Sequence, residues 1–197
     1  MHKITIKNTF LHLGKILKHK AWVFVYCCKA GIPWRGIKHD MSKFSPTEFW
    51  ESVRYYQGNR SPIDACKEAN GVSKAWLHHK GRNSHHYEYY QDNFDKGGEP
   101  VKMPLKDAIE MICDYLGAGR AYMGKNFTFK AEYEWWQVRR MKPLAMHRHT
   151  RLFVETVLAR FAEMEELAEI DQDYDIFFYE FFAFLYKQAE KELENDE

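Results

Sequence analysis

The sequence predicts an all-α fold, a compact bundle of seven to eight helices. Three observations carry this expectation. No run of alternating apolar and polar residues bounded by turns marks a half-buried strand. Apolar residues recur instead at helical spacing. Ser-Pro starts and glycine stops punctuate the chain as helix termini do.

In chain order, residues 6–30 read as a first helix, with Trp22, Val23 and Tyr26 on its apolar stripe and Gly31 as its stop. A short helix or turn follows around 34–43. In Ser45-Pro46-Thr47-Glu48, Ser45 caps, Pro46 takes the first helical position and Glu48 completes a capping box. Ser61-Pro62-Ile63-Asp64 repeats that pattern. Residues 73–90 read as helix, broken or bent near Gly81, and 93–103 as a loop containing Gly97, Gly98 and Pro100. Pro104 opens a helix that runs to Met123, with Gly124 as its stop. Further helices are expected over 129–140, over 150–169 with Phe153, Val157, Phe161, Met164 and Ala168 on one stripe, and over 174–193. No repeat or linker divides the chain. The reading is one domain over 1–197, with a chemical core over about 10–125 and C-terminal helices over about 129–193.

Of the 197 residues, 45% are apolar and 29% charged, which fits a globular chain rather than a disordered one. A net charge of +1 gives no electrostatic reason to expect nucleic acid or an anionic membrane as partner. The longest apolar stretches, Ala21–Cys28 and Ile176–Tyr186, fall well short of the ~20 residues that span a bilayer. The start is not that of a signal peptide, and Cys27, Cys28, Cys66 and Cys113 form no CxxC pair. A cytoplasmic protein with free thiols is expected. The apolar segment Phe177–Tyr186 is a candidate dimer or partner surface, but packing on the chain's own core is the favoured reading.

Four places carry chemistry. His19 precedes Val23 by one turn and so points inward, and His12, seven residues earlier, shares that face. His39-Asp40 stands between short helical segments. His78-His79-Lys80-Gly81-Arg82-Asn83-Ser84-His85-His86-Tyr87-Glu88 is a histidine block whose members, if helical, stack as His78/His85 and His79/His86. Asp114 lies in the apolar run Ile112-Cys-Asp-Tyr-Leu116. Each has a plain structural explanation: a hydrogen-bonded core histidine, an aspartate paired with Arg120 or Arg139, a solvated surface pair. Together they are the imidazole and carboxylate set of transition-metal sites, and buried Asp and His are costly unless paired or metal-bound.

The order His19…His39-Asp40…Asp114 resembles the H…HD…D signature of the HD superfamily of metal-dependent phosphohydrolases, over roughly residues 10–125. The strings AGIPWRG, HDxSKFSPTEF and HHxxRNxHHxEYY are similar to those of a family of phage and bacterial proteins that carries only a domain-of-unknown-function label. The HD resemblance implies that His19, His39, Asp40 and Asp114 hold one divalent ion (Mn, Mg, Co, Zn or Fe). Some branches bind a second ion through additional histidines between the HD pair and the last Asp; of 78, 79, 85 and 86, one pair could ligate it while the other faces solvent or phosphate. Nucleotidase members often carry a Glu shortly after the HD pair, where this chain has Ser42-Lys43, so either Glu88 or Glu48 substitutes as base, or metal-bound hydroxide needs no separate base. Lys43, Arg82 and Asn83 are the expected phosphate-binding residues, with Arg35 or Lys80 as further candidates. The implied activity is hydrolysis of a small, nucleotide-like phosphate ester or anhydride. An HD-fold di-iron oxygenase and a non-catalytic HD-like binding module are the alternatives, and a homo-oligomer is possible in any of the three.

Overall fold

A computed structural model describes residues 3–92, 95, 97–167, 169 and 179–195. Among these the secondary structure is helical, with no strand. Nine α-helices follow in order: α1 Ile6–Lys29, α2 Pro33–Lys38, α3 Pro46–Tyr55, α4 Pro62–Asn70, α5 Lys74–Lys80, α6 Leu105–Met123, α7 Phe129–Arg140, α8 Arg148–Glu166 and α9 Tyr179–Asn195. Two of these, α2 and α5, are only six and seven residues long.

The helix starts obey their local sequences. Thr5, Ser45, Ser61, Ser73 and Thr128 each accept a hydrogen bond from a first-turn N–H, and Pro33, Pro46 and Pro62 occupy first positions. At Gly71, α4 ends in the left-handed conformation.

The centre of the bundle is the antiparallel pair α1 and α6. Lys15 reaches the carbonyl of Ala121 at one end, and Cys27 meets Cys113 at the other. Close approach requires Gly117, because a Cβ there would sit 3.0 Å from the backbone nitrogen of Val23. That contact fixes the register at which His19, one turn before Val23, faces Asp114. On the far side of α6, Phe127, Phe129, Trp136, Phe153, Phe161 and Phe182 from α7, α8, α9 and the loop before α7 build the hydrophobic core. On the near side, α3, α4 and α5 form a smaller layer.

The short helix or turn expected around 34–43 is both: α2 stops at Lys38, Asp40 takes a left-handed φ of 55°, and a 3-10 turn covers Met41–Phe44. Residues 73–90 break at Gly81 and do not resume as an α-helix. Asn83 Nδ2 donates to the carbonyl of His79 (2.7 Å) and to Ser42 Oγ (2.8 Å), so the chain turns after α5 and re-forms only a 3-10 turn at Tyr87–Tyr90. The helical i, i+7 geometry expected for the histidine block is therefore absent, although His79 and His86 still meet with ring centroids 4.8 Å apart. The expected helix over 150–169 spans 148–166. Asn93, Ala168 and residues 174–178, including Phe177, lie outside the described residues. Within α9, Phe182, Leu185 and Ala189 are buried against the core while Phe184 is exposed. Cys27, Cys66 and Cys113 are buried free thiols and Cys28 an exposed one. No helix among the described residues is long and apolar enough to cross a membrane.

Candidate metal centre

Helix α1 contributes His19, the α2 exit contributes His39 and Asp40, and α6 contributes Asp114. His19 Nε2 lies 3.3 Å from Asp40 Oδ2 and 3.0 Å from Asp114 Oδ1. His39 Nε2 lies 3.2 Å from Asp40 Oδ2, 3.4 Å from Asp114 Oδ1 and 3.4 Å from His19 Nε2. Four atoms about 2.1 Å from a common ion stand about 3.0 Å apart at octahedral and about 3.4 Å apart at tetrahedral corners. The observed separations span that interval. The residues are buried (His39 and Asp40 are each 1% exposed), and they could hold a metal ion.

A second cluster shares the same carboxylate. His79 Nε2 is 3.2 Å and His85 Nε2 3.4 Å from Asp40 Oδ1, and His86 joins them. Oδ2 of Asp40 thus faces one cluster and Oδ1 the other. Both oxygens are buried without a hydrogen-bonding partner in good geometry, although Lys43 Nζ ion-pairs with Oδ2. His85 Nε2 and His86 Nε2 are also buried without partners. Orphaned acceptors and ring nitrogens meeting at one point are costly in a closed protein and are the donor set of a cation. The residues therefore fit divalent metal.

Carboxylates stand behind the imidazoles. Glu110 Oε1 accepts from His39 Nδ1 at 3.0 Å and from His85 Nδ1 at 3.1 Å. Glu48 accepts from His79 Nδ1 (2.7 Å) and from His78 Nδ1 (2.6 Å). These contacts put the protons on Nδ1 and turn Nε2 of His39, His79 and His85 toward Asp40, as metal-ligating histidines require. Glu110 is anchored in turn by Arg35 Nε at 2.6 Å, and Arg35 also pairs with Asp107. The grouping of His39, His85 and Glu110 is thus a supporting layer rather than a third ion site.

Electrostatics follow from this crowding. Burial opposes charge on His39, but the Asp40 carboxylate and hydrogen bonds to Asp114, Asp40 and Glu110 raise it well above the usual histidine range. Burial likewise opposes ionisation of Asp40, yet His39, Lys43 and His79 hold it well below the carboxylate range. Asp114 is depressed against its burial by hydrogen bonds from His19 and His39. His86 is pushed well down by burial and by His85, so it is a neutral imidazole.

Beside the clusters opens a cavity of about 230 Å³ lined by His19, Asp114, His79 and His86 at one end and by His12, Tyr56 and Tyr122 toward the other. Lys43 also lines it. The remaining candidates fall elsewhere. His78 serves Glu48 and belongs to neither cluster. Arg82 is exposed and donates to the carbonyl of His78, and with Asn83 it lines a separate cleft beside Arg35 and Glu110. Asn83 spends its amide on Ser42 and His79, and Arg35 is committed to Asp107 and Glu110. Glu88 is in neither cluster and lines neither cavity. Its charge acts on the Tyr87 and Tyr115 phenols, and its Oε2 is buried without a hydrogen-bonding partner. The anchoring role of Glu110 escaped the sequence reading. Its signal is an acidic residue one turn before Asp114 on the same face of an apolar helix.

No curated protein and no solved structure matches the chain. A family model does match, over residues 8–160, and this span contains all the residues of both clusters and of the cavity. The chain belongs to that family, described as a family of unknown function (DUF5662).

Proposed function

We propose that this protein is a metal-dependent phosphohydrolase acting on a small, nucleotide-like phosphate ester or anhydride. The observation that carries the reading is Asp40, a buried carboxylate shared between two clusters, with Oδ1 lacking a hydrogen-bonding partner and Oδ2 met by Lys43. When bound, divalent ions at such a pair of sites supply Lewis acidity toward phosphoryl oxygens and acidify water. His19, His39, Asp40 and Asp114 would hold one ion, and Asp40 with His79, His85 and His86 a second. Glu48 and Glu110 fix the imidazole tautomers. Lys43 is the cation placed for a phosphoryl oxygen, because its ammonium lies at Asp40 and its side chain lines the cavity. Both oxygens of Glu48 are occupied by histidines, so this reading assigns no separate protein base.

The test is metal analysis of purified protein, then phosphate release from a nucleotide and phosphodiester panel with Mn²⁺, Mg²⁺, Co²⁺ or Zn²⁺. Metal-dependent release by wild type and none by Asp40→Ala is the expected result. No release, with about two irons per chain and O₂ uptake, overturns it in favour of the oxygenase reading, which the histidine-rich second cluster also suits. Neither release nor metal leaves a binding module.

A further inference from the structure

We infer that the end of the cavity remote from the metal centre is a recognition subsite for a planar ring, with His12 as its hydrogen-bonding, specificity-determining residue. This deepens the proposed function and rests on it for the phosphate end of the ligand.

His12 lies seven residues before His19 on the same face of α1, hence about 10 Å along the helix from the first cluster. Both residues line one continuous cavity. His12 is 6% exposed, yet its Nδ1 is buried with no hydrogen-bonding partner. Its neighbours are aromatic rings, with centroids 5.6 Å away at both Phe49 and Tyr56. Burial, followed by the charge of Lys43, lowers its pKa to about 4, so near neutrality it is an uncharged imidazole with one donor and one acceptor. A buried imidazole without a polar partner is an expense that a purely structural role does not explain, since a phenylalanine would fill the same space.

The surrounding wall is suited to a ring. Tyr56, Tyr122 and Trp76 stand around the cavity with Ile16 and Ile63. Lys15 holds the Tyr122 face, its ammonium 4.5 Å from the ring centroid. Aromatic faces take up planar heterocycles by stacking, and one well-placed polar group in an apolar pocket sets which ring is accepted. A phosphoester with its phosphoryl group at Lys43 and Asp40 and an organic part reaching about 10 Å along α1 spans the two ends.

The experiment measures binding to Mn²⁺-loaded protein by calorimetry, with five probes that share a phosphate, four bearing a planar base and one lacking it: the common nucleoside 5′-monophosphates and ribose 5-phosphate. Wild type should bind at least one nucleotide about tenfold or more tighter than ribose 5-phosphate. His12→Phe keeps the ring packing and removes the nitrogens, and it should lose roughly two- to tenfold in nucleotide affinity, the scale of one hydrogen bond. The loss should be confined to the ring-bearing probes, with wild-type manganese content retained. His12→Gln should recover part of it. No preference for any nucleotide over ribose 5-phosphate overturns the subsite, and so does an equal loss for both ligand types in His12→Phe. Ring-dependent binding without phosphate release sinks the hydrolase reading and leaves the subsite standing.

Discussion

Replacing Asp40 with asparagine tests the centre most directly. Asparagine tolerates the left-handed backbone at this position, so Asp40→Asn removes a charge without adding strain. In metal-free protein Asp40 neutralises His39, His79 and Lys43 at once. Breaking a buried ion pair costs about 3–5 kcal/mol. Here the two imidazoles can shed protons and Lys43 retains 28% side-chain exposure, which favours the lower end, about 3 kcal/mol. At roughly 2–4 °C per kcal/mol for a chain of this size, the variant should melt roughly 10 °C below wild type in EDTA. With Mn²⁺ the gap should widen, because both clusters lose their common carboxylate. Wild type gains about 4 kcal/mol when ion exceeds its dissociation constant a thousandfold, and the variant gains little. Thermal melts with and without EDTA, together with metal analysis, read both quantities. Wild-type metal content in Asp40→Asn, or identical wild-type melts in EDTA and Mn²⁺, would refute the shared-carboxylate argument.

Further expectations follow from the supporting layer and from pH. Glu110→Gln should keep the volume but weaken metal binding about 10–100-fold, because His39 and His85 lose the acceptor that orients them; unchanged affinity in a metal titration contradicts this. The raised His39 and His79 stabilise metal-free protein fully below their ordinary value of 6.5 and lose that contribution as pH rises through their folded values. Metal requires these imidazoles to be neutral, so the melting gap between Mn²⁺ and EDTA should widen from about pH 6 to about pH 9, and a constant gap would count against it. The depressed Asp40, Asp114 and Glu110 act oppositely, stabilising above the ordinary carboxylate range and losing that contribution as pH falls. On α7, burial and then Asp114 push Glu132 up to about 8, so its protonation favours the fold and stability declines as pH rises from 4.5 through 8. Glu132→Gln should remove that decline, worth up to about 5 kcal/mol at pH 9; an unchanged pH slope in urea melts would show that Glu132 is not the group responsible.

The long helices were legible because their signals are local. Ser45 and Ser61 cap as their sequences announce, Gly31 and Gly124 lie beyond α1 and α6, and the stripe of α8 faces the core. The convergence of His19, His39, Asp40 and Asp114 was expected from the order of the HD resemblance; inward positions on α1 and α6 give a local reason for His19 and Asp114, whereas His39 and Asp40 lie on the turn after α2 and carry no such signal. Residues 78–86 were not legible, because their path depends on a distant residue. Asn83 bonds Ser42, and that tertiary contact turns the chain after α5 and brings His85 and His86 to Asp40 beside the helical His79. Glu88, two residues past His86, joins neither cluster.

The departures from local rule coincide with the chemistry. The longer helices, α1 and α6 to α9, run without a break where hydrophobic pattern and propensity favour them. The two helices cut short, α2 and α5, are those that end beside Asp40 and in the histidine block. The lone non-glycine residue with positive φ among the described residues is Asp40 itself. Several of the buried polar atoms without partners lie within the same few ångströms: both Asp40 oxygens and the Nε2 atoms of His85 and His86. A sequence selected for stability alone would relieve at least one of these costs, by glycine at position 40, by an apolar residue at 86 or by continuing α5 through 81. Strain, unsatisfied polar groups and broken helices borne together at one point are what a preorganised binding centre demands of its scaffold. Cations held in the two clusters would offset these costs, because they would take up the unpartnered oxygen and ring nitrogens and fix the loop geometry that presents them.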